Sequence, residues 1–271
     1  MLFRDILMAA ARAGGGVSYE AEALTYFAAM SVAPDDTRKG HLNTLIASLK
    51  TAGVWAKLDG LYIMAAHDAQ AARVNAVNPA SVATANGTIT FTTDRGYAGN
   101  GTTGYLNTGF NPTTAPSPKY ARNSAHMGAW SRTAVNAGAE IGVACGLGTP
   151  ATAQILSNVF GSSRVYTNNG NSVIAFANSP TTHICWSRTG SNTAPYYSNA
   201  ALQGTDVNGS VVLANAEFLI SAQNQSTTGT VTPGAYCQNQ IMFTHFGQSL
   251  SGAEVTAMYN ALSAYKTAVG A

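Results

Sequence analysis

Residues able to make or break bonds are scarce in this chain. Beyond position 80 the carboxylates are Asp94, Glu140, Asp206, Glu217 and Glu254. Cleaving a glycosidic bond takes two carboxyls held roughly 5 to 10 Å apart, and Glu254 already has a structural task at a helix start. There is no Gly-x-Ser-x-Gly elbow, and Cys145, Cys185 and Cys237 stand in no motif with histidine, so no nucleophile is paired with a base by spacing. His67, His126, His183 and His245 fall singly within or at the ends of presumed strands, as core or rim histidines do.

Recognition is better supplied. Tyr97 and Tyr105 border the loop GYAGNGTTGY, which contains Asn100, and Tyr196 with Tyr197 follows SNTAP near Arg188. Aromatic rings flanked by amides and hydroxyls suit a pyranose, which has an apolar face and a polar edge. The competing reading is a plain surface loop turned by its glycines, with Tyr97 and Tyr105 packed inward, and spacing does not choose between the two. Trp130 and Trp186 sit in strands with alternating neighbours and read as core.

These residues must be positioned by strands. TITFTT (88–93), HMGAWSRT (126–133), EIGVACG (140–146), AQILSNVF (153–160), SVIAFA (172–177), HICWSRT (183–189), SVVLA (210–214) and EFLISAQ (217–223) read as short strands. Turn segments NNGN (168–171), TGSN (189–192) and VNGS (207–210) offer the Asn-Gly or Gly that hairpins need. Regular short strands with such turns mean an antiparallel sandwich or barrel.

Helices frame this region. Met1 to Arg12 reads as a helix set apart by the glycines at 14–16. Tyr19 to Met30 follows, with Leu24, Phe27 and Ala28 on one face, and a third helix begins near Pro34 and ends at Gly53. GLYIMAAH (60–67) reads as a strand, and Asp68 as the N-cap of a helix that Asn78-Pro79 ends. At the end of the chain, QIMFTHFG (240–247) is a buried strand. Ser251 with Glu254 then forms a capping box, and Leu250 with Val255 a hydrophobic staple, starting a helix that runs to about Lys266. Its apolar stripe is Val255, Met258, Tyr259, Leu262 and Tyr265.

Composition narrows the class. Hydrophobic residues are 46% of 271 and can fill a core, while charged residues are 10%, against about 25% in ordinary soluble domains. The surface must then be Asn, Thr, Ser, Gly and Gln. A net charge of +2 without a basic run argues against nucleic acid, and no apolar run approaches the roughly 20 residues of a membrane helix. Three distant cysteines without a CxxC pair read as free thiols, and Met1 to Ala11, interrupted by Arg4 and Asp5, does not read as a secretory signal. Residues 1–80 hold 14 of the 26 charges. Hence the expected division: 1–16 an anchoring or oligomerisation helix, 17–80 a helical segment packed on the sandwich, and 81–271 the sandwich with its closing helix.

Three segments carry a resemblance: AGVWAKLDGLYIMAAHDAQAARVNAVNP (52–79), FTTDRGYAGNGTTGYLNTGFNP (91–112) and FGQSLSGAEVTAMYNAL (246–262). Together the chain resembles a phage virion module of tail-fibre or head-fibre type with a concanavalin A-like, laminin-G-type β-sandwich. The resemblance implies a virion surface protein assembled in the host cytoplasm, often trimeric, with other virion proteins and a host surface polysaccharide as partners. Enzymes of this sandwich class commonly carry E-x-D-x-x-E on one strand, a pattern missing here. Laminin-G-type sandwiches often hold calcium at a rim. DVNGS (206–210) offers Asp206 and Asn208 for that, against the simpler reading of a hairpin turn, which is favoured.

The expectation is therefore an antiparallel concanavalin A-like β-sandwich (jelly roll) with an N-terminal helical segment and one C-terminal helix. It would act without catalysis or cofactor as a virion component touching host glycan through Tyr97, Asn100, Tyr105, Arg188, Tyr196 and Tyr197. A purely structural virion protein and a polysaccharide depolymerase are the alternatives.

Overall fold

The computed structural model describes residues 18–133, 135, 146–147, 152–159, 162–169, 174–177, 181–226 and 229–271. The expected helix at Met1 to Arg12 lies outside them, as does nearly all of the expected strand at 140–146. Helix α1 (Ala21–Ala28) and helix α2 (Asp36–Thr51) form the N-terminal segment. In α2 the Asp35 carboxylate accepts from the Arg38 amide at 2.7 Å, closing the exposed first turn. Leu42, Leu45, Ile46 and Leu49 are buried along one stripe, and Gly53 takes φ +72°, a left-handed stop that favours glycine. The face expected for α1 is wrong. Leu24 is 52% exposed, and Ala23 and Tyr26 are buried instead. Lys50 of α2 bridges to Glu20 and, at 2.7 Å, to Glu22, and a helix of eight residues settles on the side these pairs and the Tyr26 ring select.

The main sheet has eight strands. They are β1 (Leu58–Ile63), β2 (Ile89–Thr92), β3 (Gly96–Gly99), β4 (Ala125–Ser131), β5 (His183–Arg188), β6 (Ala194–Ser198), β7 (Ala201–Asp206) and β8 (Gln240–Gly247). Their order is β7-β6-β5-β4-β8-β3-β2, and β1 pairs antiparallel with the rest of β8 beyond β3. Every pairing in this sheet is antiparallel. Because β1 belongs to the sheet, the sandwich starts near residue 58 and not at 81. The helix expected after Asp68 is a single 3₁₀ turn, Ala71–Arg73. Asp68 does accept from the amides of Gln70 and Ala71. The chain then leaves the helix because Asn75 is drawn to the β1 edge, where its side chain accepts from the Leu61 amide at 3.1 Å and donates to the Asp59 carbonyl at 3.0 Å.

A six-stranded second sheet runs Ile174–Ala177, Ser162–Thr167, Thr152–Val159, Gly146–Leu147, Gln223–Asn224, Pro233–Gly234, and Leu219–Ile220, Tyr105–Asn107 and Thr84–Asn86 make a third. The strand expected at 217–223 is split between them at Ser221, whose φ of +65° turns the chain from one sheet to the other. Residues 210–214 are not a strand. Ser210 is bound by Arg122 and Asn123 and the Val211 amide by the Asn168 carbonyl, so this stretch bonds to loops and not to a ladder.

The core has two layers, one on each face of the main sheet. On one face Phe246 packs against Phe110 at 4.8 Å and Phe218 at 5.1 Å, and Trp186 meets Tyr120 at 6.3 Å, forming the interior of the sandwich. The other face is covered by helix α3 (Gly252–Ala268), which ends two residues later than expected. Its capping box forms, with the Ser251 amide donating to Glu254 at 2.7 Å and the Glu254 amide to the Ser251 hydroxyl at 3.3 Å, and Leu250 and Val255 are both buried. Val255, Met258, Ala261, Leu262 and Tyr265 are its buried side chains. Burying each large apolar side chain contributes about 1.5–3 kcal/mol, so the helix is held by its seam with the sheet. Trp130, Trp186, Cys185 and Cys237 are buried, the two cysteines as free thiols. The result is a mainly β, antiparallel sandwich with few helices, as expected from the sequence.

Candidate functional site

Where α3 crosses the end of the main sheet it leaves a cleft of about 450 Å³. Its wall is Trp130, from the end of β4, with Tyr259 of α3 stacked on it at 5.3 Å and 16°. Trp130 is 5% exposed while Tyr259 is half-buried, so Tyr259 presents the accessible ring. Asn199 reaches the rim from the β6–β7 turn, where φ of +47° and a hydrogen bond from the His183 amide to its side-chain oxygen at 3.0 Å fix it. Thr181 and Ser131 also line the cleft. Three cations complete the lining. Arg95 donates to the Gly270 carbonyl, Arg132 to Gln240 Oε1 at 3.2 Å, and Lys266 Nζ lies 5.8 Å above the Trp130 ring.

Beneath the cleft, between sheet and helix, three histidines stack. His183 Nε2 and His245 Nε2 share a hydrogen bond of 2.9 Å, and the His126 and His245 rings are 5.1 Å apart. Gly128 makes this possible, because a Cβ there would lie 2.1 Å from His245 Nε2. Burial, which disfavours the imidazolium, pushes His126 down to about 4 and His183 to about 3. His245 is held well below its usual value by burial and then by its two histidine neighbours. All three are therefore neutral near pH 7. They are core residues, as expected, but they are not single. His183 also packs on Trp130 at 5.6 Å and on Tyr259 at 6.0 Å, so the stack underlies the aromatic wall. Among the described residues no group of three or more His, Cys, Asp or Glu side chains is arranged to hold a metal ion.

The residues expected to bind sugar do not converge. Tyr97 is buried in β3, its hydroxyl donating to the Ala69 carbonyl at 2.7 Å. Tyr197 is buried in β6, which lies four strands from β3, or about 19 Å at the usual strand spacing. Tyr105 sits in the third sheet beside Tyr236, and Tyr196 packs half-buried on Phe176. The Asn100 side-chain oxygen is occupied with the amides of residues 102, 103 and 104, which folds the loop. Arg188 is wholly buried in the sandwich interior against Asp206 at 3.5 Å. The calcium reading of Asp206 and Asn208 is corrected by the same cluster. Thr167 Oγ1 at 2.6 Å, the Asn208 side chain at 2.6 Å, Asn169 and Arg188 all donate to the Asp206 carboxylate, leaving a cation no place on it.

The cleft residues Arg95, Arg132, Asn199, Tyr259 and Lys266 escaped sequence reasoning. Tyr259 reads as one more residue of the helix stripe and Lys266 only as the end of that helix. Arg95, Arg132 and Lys266 meet only through the order of strands in the sheet, which no local pattern reports.

No protein-family model and no curated protein matches the chain. Solved structures do resemble it in fold. Trypanosoma rangeli sialidase in complex with sialic acid aligns at 12% identity with TM-score 0.54, over 80% of this chain and 38% of that one. A mutant of the same sialidase displaying trans-sialidase activity aligns at 13% identity and TM-score 0.52, over 84% and 38%. The receptor binding domain of a botulinum neurotoxin C/D mosaic serotype aligns at 9% identity and TM-score 0.50, over 76% and 51%. The chain thus spans less than two fifths of the sialidase chains it resembles, and at these identities the likeness establishes the fold alone.

The expected phage virion role is corrected here. The folds this chain resembles belong to a sialidase and to a neurotoxin receptor binding domain, neither of them a virion component. The loop tyrosines that were to touch host glycan are partly buried and dispersed.

Proposed function

We propose that this chain is a non-catalytic carbohydrate-binding module and that the glycan lies in the cleft between α3 and the end of the main sheet. The observation that carries the reading is the half-buried Tyr259 ring, backed by Trp130 at 5.3 Å, facing a concave space bordered by Asn199 and three cationic side chains. A sugar ring needs that combination of a flat apolar wall and a polar rim. The similar solved structures, a sialidase bound to sialic acid and a receptor binding domain, are compatible with such a role. Among the described residues the acids are otherwise engaged. Asp94 pairs with Arg38 at 2.7 Å, Asp206 with Arg188, Glu254 with Lys57 at 2.7 Å, and Glu217 accepts from Asn107 at 2.6 Å. This supports binding over bond cleavage.

Screening the protein on immobilised glycans, followed by titration of the best ligand, tests the reading. Tyr259→Ala should weaken binding about tenfold, the worth of one stacked ring of about 1.4 kcal/mol. Tyr259→Leu keeps the packing on Trp130 and should show the same loss with a native melting curve. Tyr105→Ala should bind like the wild type. Silence across glycans, or release of shortened sugars that stops when an acid is replaced by its amide, would overturn the proposal.

A further inference from the structure

The three cations of the cleft come from three elements. Arg95 precedes β3, Arg132 follows β4, and Lys266 stands in the last turns of α3. A guanidinium has five N–H donors and an ammonium three. Among the described residues Arg95 uses its side chain on the Gly270 carbonyl, Arg132 on Gln240 Oε1, and Lys266 Nζ has no hydrogen-bond acceptor at all. Most of the donors therefore remain available. The side chains that line the cleft carry three positive charges and no negative one. The lining contains no Asp or Glu, and the nearest acid in sequence, Asp94, is turned to Arg38. Cations converging in a concave site raise the local concentration of anions, and a guanidinium matches a planar carboxylate with two parallel hydrogen bonds.

Resting on the glycan reading above, we propose that the ligand is an acidic sugar, a sialic acid or a hexuronate. Its carboxylate lies among Arg95, Arg132 and Lys266 while the pyranose ring lies against Tyr259. A volume of about 450 Å³ suits one or two sugar rings. The aromatic wall selects a sugar over a bare phosphate, which has no face to stack.

The test is calorimetric titration of the full chain with four ligands: α2,3-sialyllactose, lactose, trigalacturonate and the carboxyl-reduced trimer. One acidic ligand should bind about tenfold to a hundredfold tighter than its neutral counterpart, the range for a charge-assisted bond. Higher salt should narrow the gap. Arg132→Gln and Lys266→Gln should each shrink the ratio of acidic to neutral affinity, with the melting curve unchanged. The sialic acid and hexuronate pairs distinguish the two sources of carboxylate. Equal binding of acid and neutral forms would end this inference and leave the glycan reading standing, whereas no binding of any sugar would end both. Displacement of a bound acid by AMP or inorganic phosphate at lower concentration would assign the cleft to phosphates and overturn the proposal.

Discussion

Acidification should loosen the seam between α3 and the sheet, because three neutral imidazoles are stacked in it. In the unfolded chain each histidine titrates near 6.5. In the folded chain His126 accepts its proton only at about pH 4 and His183 at about pH 3, and His245 is depressed as well. Between those values the unfolded state binds more protons than the folded state, so stability falls as pH falls from about 6.5 toward 4 and is fully retained above that window. At about pH 5 the loss comes to about 2 kcal/mol for each of His126 and His183, about 4 kcal/mol together, with His245 adding in the same direction. That is a large part of the 5–15 kcal/mol typical of a domain. Glu254, whose carboxyl burial raises but Lys57 and the capping bonds bring below its usual range on balance, adds a loss at lower pH, so a difference between proteins is the clean measure. Urea midpoints followed by tryptophan fluorescence at about pH 7 and pH 5 should show the wild type losing about 2 kcal/mol more than His126→Gln. Parallel losses in the two proteins would refute the reasoning, whatever their absolute stabilities.

Two other outcomes follow from the core. Arg188→Met leaves the Asp206 carboxylate, wholly buried, without its counter-charge, and should cost about 3–5 kcal/mol in chemical denaturation. Adding Asp206→Leu should recover much of that, and a single-variant cost under about 1 kcal/mol would contradict the buried pair. Gly128→Ala places a methyl 2.1 Å from His245 Nε2 and should cost about 1–3 kcal/mol by overpacking; an unchanged urea midpoint would show that the stack yields freely.

Local signals in the chain were read well and distant ones poorly. The capping box at Ser251 and Glu254, the Asp35 cap, the Gly53 stop and most strands were legible because each is set by residues within a turn of one another. The face of α1 was not, since it depends on Lys50 reaching Glu22 from another helix. The helix after Asp68 failed for a similar reason: Asn75 answers the β1 edge and not its own neighbours. Arg188 looked like loop chemistry because a buried ion pair carries no local mark, and spacing alone left Tyr97 open between a loop contact and an inward ring. The histidine stack and the cationic cleft join residues 126, 183 and 245, and 95, 132 and 266, across strands whose order only the folded sheet reveals.

Whether a glycan occupies the cleft under α3 can be read residue by residue. Amide NMR shifts during titration with the best-binding sugar test it most directly. The largest changes should fall at Arg132, Asn199, Tyr259 and Lys266, with Tyr105 and Tyr236 unmoved. Shifts centred on Tyr105 and Tyr236, with the cleft silent, would contradict it.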